Sequence, residues 1–440
     1  MKRTKFLIFS MLFLPAAATL LCSTAAFAGT AAQNKISSGD TAWLLISAAL
    51  VLLMTPALGF FYGGMVRKKN VLGTIMHSFW ALCLISVVWV LWGYSMSFGP
   101  SIHGIIGNLK WFGLNGVGEG PSTVGSPKVP ALAFMAFQCM FAVITPALIT
   151  GAFAERMKFS AYTIFILLWS TFVYAPIAHW VWNPGGWLST LGALDFAGGT
   201  VVHLNAGVAA LVAALVIGKR KGYLETSMMP HNIGYTVLGA SLLWFGWFGF
   251  NAGSAIVSGG LAAEAFVTTN TATAAAALSW AFTEWIHRGR PTVLGASSGA
   301  VAGLVAVTPA AGFVTPMASI AVGGIAGIIC YTAVNLRPKL GYDDALDVVG
   351  VHGLGGFWGA IATGIFASPL VNSGRGLIYG NPHQVILQFE ACGATIVWSG
   401  AVTFIILKLI DWTIGLRVSE KDEETGLDLS QHEESGYNLS

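Results

Sequence analysis

Apolar runs of about 20 residues recur from Thr41 to Leu416, and this recurrence constrains the chain more than any other feature. At 1.5 Å of rise per residue, each run is long enough as a helix to cross the roughly 30 Å hydrocarbon core of a bilayer. With 55% of its residues hydrophobic, 9% charged and a mean hydropathy of +0.71, the chain lies far outside the balance of a soluble domain. An all-α polytopic membrane protein follows.

Breakers divide the runs into eleven expected transmembrane helices, near 41–66, 71–97, 129–153, 159–182, 198–218, 232–255, 265–287, 292–309, 316–336, 343–367 and 384–416. Alternate loops carry Arg67, Lys68 and Lys69, then Arg156 and Lys158, then Lys219, Arg220 and Lys221, then Arg288 and Arg290, then Arg337 and Lys339. With Lys408, Arg417 and Lys421, fifteen cationic residues lie on that side, against Lys35, Lys110, Lys128 and Arg375 on the other. The cationic side faces the cytoplasm, so the N-terminus is outside and the C-terminus inside. The net charge of +3 carries no nucleic-acid meaning, because these cations sit in short loops rather than on one face.

Lys2, Arg3 and Lys5 precede an apolar stretch from Phe6 to Leu21 and a small-x-small pattern at Ala26, Phe27 and Ala28, which reads as a signal peptide over 1–28. The alternative is an uncleaved helix; both leave Gly29 outside. The organisation is then a periplasmic N-terminus over 29–40, a transmembrane domain over 41–416 and a cytoplasmic tail over 417–440. Cys22 falls in the signal, and Cys83, Cys139, Cys330 and Cys392 are expected as free, buried thiols.

Helices in lipid associate by close packing, and the 54 glycines serve that; Gly295, Gly299 and Gly303 form a small-residue stripe, and glycines cluster around His352. One internal correspondence says more. Asp195 precedes His203 by eight residues at the start of the fifth helix, and Asp344 precedes His352 by eight at the start of the tenth. Two consecutive five-helix blocks must have opposite orientations, so this is the pattern of a five-plus-five inverted repeat with its matched residues meeting near the midplane.

Ionisable groups inside a spanning helix cost roughly 2.5–3.5 kcal/mol when charged and mark function by default. Of nine histidines, only His203 and His352 lie well inside. Neutral imidazole offers one donor and one acceptor, so the pair either lines a path for a small neutral base or simply bonds nearby carbonyls. No carboxylate or cysteine shares a ligand spacing with either, which argues against a metal. The aromatics form a second set: Trp182 ends the fourth helix, Phe141 lies along the third and Phe250 along the sixth, with Ser254 one turn further on. Ring faces hold cations at about 0.5–2 kcal/mol each; the other reading is an interfacial belt or lipid-facing filler.

DFAGGTVVHLNAG from Asp195 to Gly207, with GKR at Gly218 to Arg220, resembles the signature of the ammonium transporter family, which includes methylammonium permeases and Rh proteins. FYGGMVRKKNVL (Phe61 to Leu72), GAFAERMKFSA (Gly151 to Ala161), YAPIAHWVW (Tyr174 to Trp182), GWFGFNAGSA (Gly246 to Ala255) and DVVGVHGLGG (Asp347 to Gly356) support it in order. The resemblance implies an outer recruitment site of Phe141, Trp182 and Ser254, organised by Asp195 through backbone bonds. It implies stacked gate rings Phe141 and Phe250, twin pore histidines His203 and His352, and further pore aromatics Phe137 and Trp247. It also implies a homotrimer in the inner membrane, no cofactor, and a possible PII-type signal protein at the cytoplasmic face, where Gly415 to Tyr437 is similar to the family's regulatory tail. Trp180 reads as an extra aromatic beside the site.

Burying a bare ammonium ion costs several kcal/mol, whereas neutral ammonia avoids most of that, so ammonium is expected to bind outside, lose a proton and cross as ammonia. Potassium cannot shed its charge and is rejected. An aquaporin-like channel needs two Asn-Pro-Ala motifs, but Asn183-Pro184 is followed by glycine and Asn381-Pro382 by histidine. An intramembrane hydrolase finds no Gly-x-Ser-x-Gly or His-Glu-x-x-His. An ammonium sensor or a passive ammonia channel remains as the alternative.

Overall fold

The computed structural model describes residues 36–437, so the signal-peptide reading of 1–28, Cys22 and Lys35 lie outside it. The Ser37 hydroxyl accepts from the Asp40 N–H at 3.2 Å and starts α1 (Ser38–Met65). There follow α2 (Lys68–Phe98), α3 (Ala131–Phe153), α4 (Phe159–Leu191), α5 (Gly199–Ile217), α6 (Ile233–Gly253), α7 (Gly260–Arg288), α8 (Val293–Val307), α9 (Pro316–Leu340), α10 (Val349–Phe366) and α11 (His383–Thr413). A two-stranded antiparallel hairpin, β1 (Ser101–Ile102) and β2 (Ile106–Gly107), follows α2. Among the described helices, nine are long and apolar enough to cross a membrane: α1 to α6 and α9 to α11. The 15 residues of α8 are too few on their own, and α7 is long but not among the nine.

Small residues set the packing. Gly239, Gly246, Gly249 and Gly253 turn one face of α6 onto α1, where a Cβ on Gly239 would lie 2.3 Å from the Phe61 nitrogen. The expected stripe on α8 packs against α7, with Gly295 at Glu284, Gly299 at Trp280 and Gly303 at Ala276. The opposite faces of the helices carry exposed large apolar side chains such as Leu45, Phe79, Phe245, Phe282 and Phe404, which suits a lipid solvent.

Two expectations are corrected. Cys83 is exposed, whereas Cys139, Cys330 and Cys392 are buried; a helix apolar all round gives no sequence sign of which face looks outward. The tenth helix begins at Val349 rather than near 343, because the aspartates before it are used as cap and ion-pair groups. Asp344 Oδ2 accepts the Val349 N–H at 2.7 Å, Asp343 pairs with Arg220, and Asp347, at φ 62°, pairs with Arg337.

A buried charge cluster ties the Arg- and Lys-bearing loops together. Glu155 takes Arg67 at 2.8 Å and Arg220 at 3.2 Å, and Arg220 also reaches Asp343 at 2.8 Å. Burial pushes the Glu155 carboxyl up, but the hydrogen bonds from Arg67 and the charge of Arg220 outweigh it and hold the group below its ordinary range. Asp343 is held low by Arg220 against the same burial. A carboxyl depressed in this way stabilises the fold above its unfolded pKa of about 4, and that contribution is lost as pH falls through the folded value. Arg220→Ala leaves both carboxylates buried and short of a partner, so a loss of about 3–5 kcal/mol is expected. Thermal denaturation in detergent checks it, and an unchanged midpoint would mean that the cluster is not load-sharing.

The tail docks on the same loops through two short helices, α12 (Glu420–Thr425) and α13 (Leu427–His432). Asp428 Oδ1 accepts the Gly73 N–H and Glu423 Oε1 the Lys221 N–H, at 2.8 and 2.7 Å, while Tyr437 bonds His231 at 2.8 Å.

Candidate functional site

The Asp195 carboxylate lies just ahead of α5 and is spent on the backbone and one hydroxyl there. Its Oδ1 accepts the N–H groups of Gly198 and Gly199, both at 2.7 Å, and its Oδ2 accepts those of Thr200 at 2.8 Å and Val201 at 3.3 Å as well as the Thr200 hydroxyl. Those are the orphan donors of a helix start, and Gly198, at φ 121°, makes the turn that presents them. Burial pushes the carboxyl up from its ordinary value against the pull of the Thr200 and glycine bonds. The Asp195 carbonyl in turn accepts the Trp182 indole N–H at 3.0 Å.

Trp182 is thereby held against a hollow of about 160 Å³ that it lines with Phe98, Phe134, Gln138, Phe141 and Ser254, among others. No lining residue is charged. The Phe141 ring meets Trp182 edge-on at 5.6 Å and 87°. Ser254 Oγ donates to the Phe250 carbonyl at 2.8 Å, which leaves its lone pairs free to accept. Asp195 is not among the lining residues, and neither is Trp180, whose ring packs on Trp187 and Trp398 and whose N–H goes to the Ile105 carbonyl. The expectation of Trp180 beside the site is therefore corrected.

Behind Phe141 stands a file of rings. Phe250 is 4.3 Å from Phe141 and has no exposed surface; His203 is 5.9 Å from Phe250, and His352 is 5.4 Å from His203, the last two pairs near-parallel. Phe137 abuts Phe141 at 4.9 Å, and Trp247 stacks on His203 at 5.3 Å with its N–H on the Thr308 hydroxyl. His352 then lines a second hollow of about 570 Å³, walled by Met65, Met229, Trp280, Tyr331 and Asp347. The two imidazoles face each other Nδ1 to Nδ1 at 3.3 Å, so one donates and the other accepts; His203 Nε2 is buried without a partner.

Both histidines sit on π-helical turns, Gly199–Leu204 and Val349–Leu354, a local widening that recurs at functional sites. The two turns touch through glycines: a Cβ on Gly207 would lie 2.2 Å from the Gly353 Cα, and one on Gly356 2.9 Å from the His203 Cβ. Gly207→Ala is therefore expected to part the turns and destabilise the protein by roughly 1–3 kcal/mol, the usual cost of overpacking. Gly353→Ala meets only ordinary contacts at 3.5 Å and should stay close to the parent. Thermal denaturation of the two variants in detergent checks the contrast, which would vanish if close packing here were immaterial.

The model of the Ammonium Transporter Family matches residues 42–437. The chain belongs to the ammonium transporter family. An ammonium transporter of Bacillus subtilis (strain 168) is 54% identical over 402 residues, covering 91% of this chain and 98% of the relative. The crystal structure of Saccharomyces cerevisiae Mep2 superposes with a TM-score of 0.86 at 37% identity, covering 92% of this chain and 93% of that one. A structure titled Sensor Amt Protein superposes with a TM-score of 0.83 at 29% identity, covering 90% and 98%.

Of the residues singled out from the sequence, Phe141, Phe250, His203, His352, Phe137 and Trp247 fall along this ammonium transporter family member's line of rings, Trp182 and Ser254 lie at its end, Asp195 acts on the wall and not in the hollow, and Trp180 lies away from it. Gln138, Phe134, Phe98 and Phe196 also line the hollow and were missed. Gln138 had a signal: a polar amide beside Phe137 in an apolar helix. Its Oε1 is buried without a partner.

Proposed function

We propose that this protein takes up ammonium: the ion is held in the smaller hollow by Phe141, Trp182 and Ser254, gives up a proton there to water, passes Phe141 and Phe250 as ammonia, moves along His203 and His352 to the larger hollow and takes a proton back from water there, so that any net current needs a separate route for the released proton. The observation that carries this is the uninterrupted file of Phe141, Phe250, His203 and His352 between two hollows, with no charged side chain in the file. Such a path disfavours an ion by several kcal/mol and suits a small neutral base. The unpartnered His203 Nε2 supplies a hydrogen-bonding edge midway. Phe137 and Trp247 support the rings from the side.

The smaller hollow is the outer one on this reading and the larger one the cytoplasmic one. In support, the tail docks on Gly73 in the first turns of α2 and on Lys221 of a cation-rich loop, so the tail and these cations share one side. Eleven crossings, with α7 and α8 spanning as a packed pair, give an outer N-terminus. The inverted repeat of α1 to α5 with α6 to α10 is supported by matched contacts: Asp195 caps the residue three before His203, Asp344 the residue three before His352, and the glycine four after each histidine meets the other turn. A homotrimer in the inner membrane and a PII-type partner on the cytoplasmic face complete the proposal. The second reading is a sensor, which the likeness to the solved sensor favours, or a passive ammonia channel.

Growth on limiting ammonium in a host lacking its own transporters tests the reading. Rescue by the parent and its loss in Trp182→Leu are expected; growth unaffected by Trp182→Leu would contradict the recruitment pocket.

A further inference from the structure

Trp182 owes its position to the Asp195 carbonyl, which leaves open what holds that peptide. The segment 192–195 crosses between α4 and α5 without regular structure of its own. Its anchor lies on α11. The buried Gln388 side chain accepts the Leu194 N–H at 2.7 Å through Oε1 and donates to the Leu194 carbonyl at 2.7 Å through Nε2. The second Nε2 hydrogen goes to the Ala360 carbonyl at 2.9 Å, and Oε1 takes a further, long bond from Gln384 Nε2 at 3.4 Å. All four hydrogen-bonding positions of the amide are filled, and turning it over would set its oxygen against two carbonyls. Gln384 also donates to the Gly192 carbonyl at 2.9 Å.

Ala360 stands two turns beyond His352 on α10, and Leu194 is the residue before Asp195, whose carboxylate starts the helix of His203. One amide therefore joins the two histidine-bearing helices and the wall of the smaller hollow. Gly364 on α10 permits it: a Cβ there would lie 2.8 Å from the Gln388 Cγ. We propose that Gln388, backed by Gln384, is a positioning residue for ammonium recruitment, fixing the Leu194 peptide and through it the Trp182 face of the hollow. This rests on the reading of that hollow as the recruitment pocket.

Ammonium-pulse currents of the full-length protein in proteoliposomes test it, comparing Gln388→Met, Gln384→Met and Trp182→Leu with the parent. Gln388→Met keeps the length and removes the amide; its apparent KM for ammonium should rise about tenfold, equivalent to roughly 1.4 kcal/mol, with the maximal current per inserted protein within about twofold. A merely structural residue would lower the amount of inserted protein and leave KM alone, so an unchanged KM overturns the proposal. Should Gln388→Met fail to accumulate, Gln384→Met decides: a KM raised about two- to threefold supports the anchor, and a parental KM overturns it. A raised KM in Trp182→Leu with none in Gln388→Met refutes the positioning role alone, whereas no change in Trp182→Leu refutes the pocket reading beneath it.

Discussion

His203→Ala combined with His352→Ala is expected to collapse the ratio of ammonium to potassium current by about 100-fold or more, the largest effect on selectivity that the proposed route implies. The two rings are buried and face each other at 3.3 Å, filling the path between Phe250 and the larger hollow. Removing both leaves a void open to the larger hollow, and water that enters it offers any cation part of the hydration that the parent path denies. Each 1.4 kcal/mol of restored solvation is worth a factor of ten, and the penalty for burying a monovalent ion amounts to several kcal/mol. Currents measured separately with ammonium and potassium decide the matter. Potassium exclusion equal to the parent's would remove the histidines from the account of selectivity.

Asp195→Ala is expected to abolish measurable transport and to lower stability as well. The carboxylate satisfies four backbone N–H groups and one hydroxyl at the head of α5, all buried, and each donor left unpaired costs about 1–3 kcal/mol. Even if water replaced half of those bonds, the turn that carries Gly198 would lose its register, and with it would go the carbonyl that holds Trp182. Asp195→Asn should fare little better, because an amide nitrogen would face N–H donors where Oδ1 or Oδ2 now accepts. Uptake and thermal denaturation together check this; a fully active Asp195→Asn would show that one acceptor oxygen suffices to hold the turn.

The parts of the fold legible in the sequence are those that depend on local order. Apolar runs mark the helices because a spanning segment must be apolar along its whole length, and the stripe at Gly295, Gly299 and Gly303 marks a packed face because its spacing is that of one helix side. The eight-residue interval from Asp195 to His203, repeated from Asp344 to His352, is visible because a cap and the ring it aims are neighbours in the chain. What could not be read are the meetings of distant segments. Gln388 and Leu194 are 194 residues apart, and nothing near either predicts the other. The exposure of Cys83 is illegible for a related reason: where lipid and protein interior are both apolar, hydrophobic periodicity loses its power to tell inside from outside. The start of the tenth helix at Val349 rather than near 343 depends on Asp343, Asp344 and Asp347 serving as cap and ion-pair groups for distant or later residues.

An ammonium-selective path through the ring file shows in current on a solid-supported membrane of proteoliposomes pulsed with ammonium, with potassium as the control and an internal pH dye read in parallel. A saturable signal is expected with ammonium, absent with potassium and lost in Asp195→Ala. A response of equal size with potassium, or neither current nor pH change with ammonium, would contradict it.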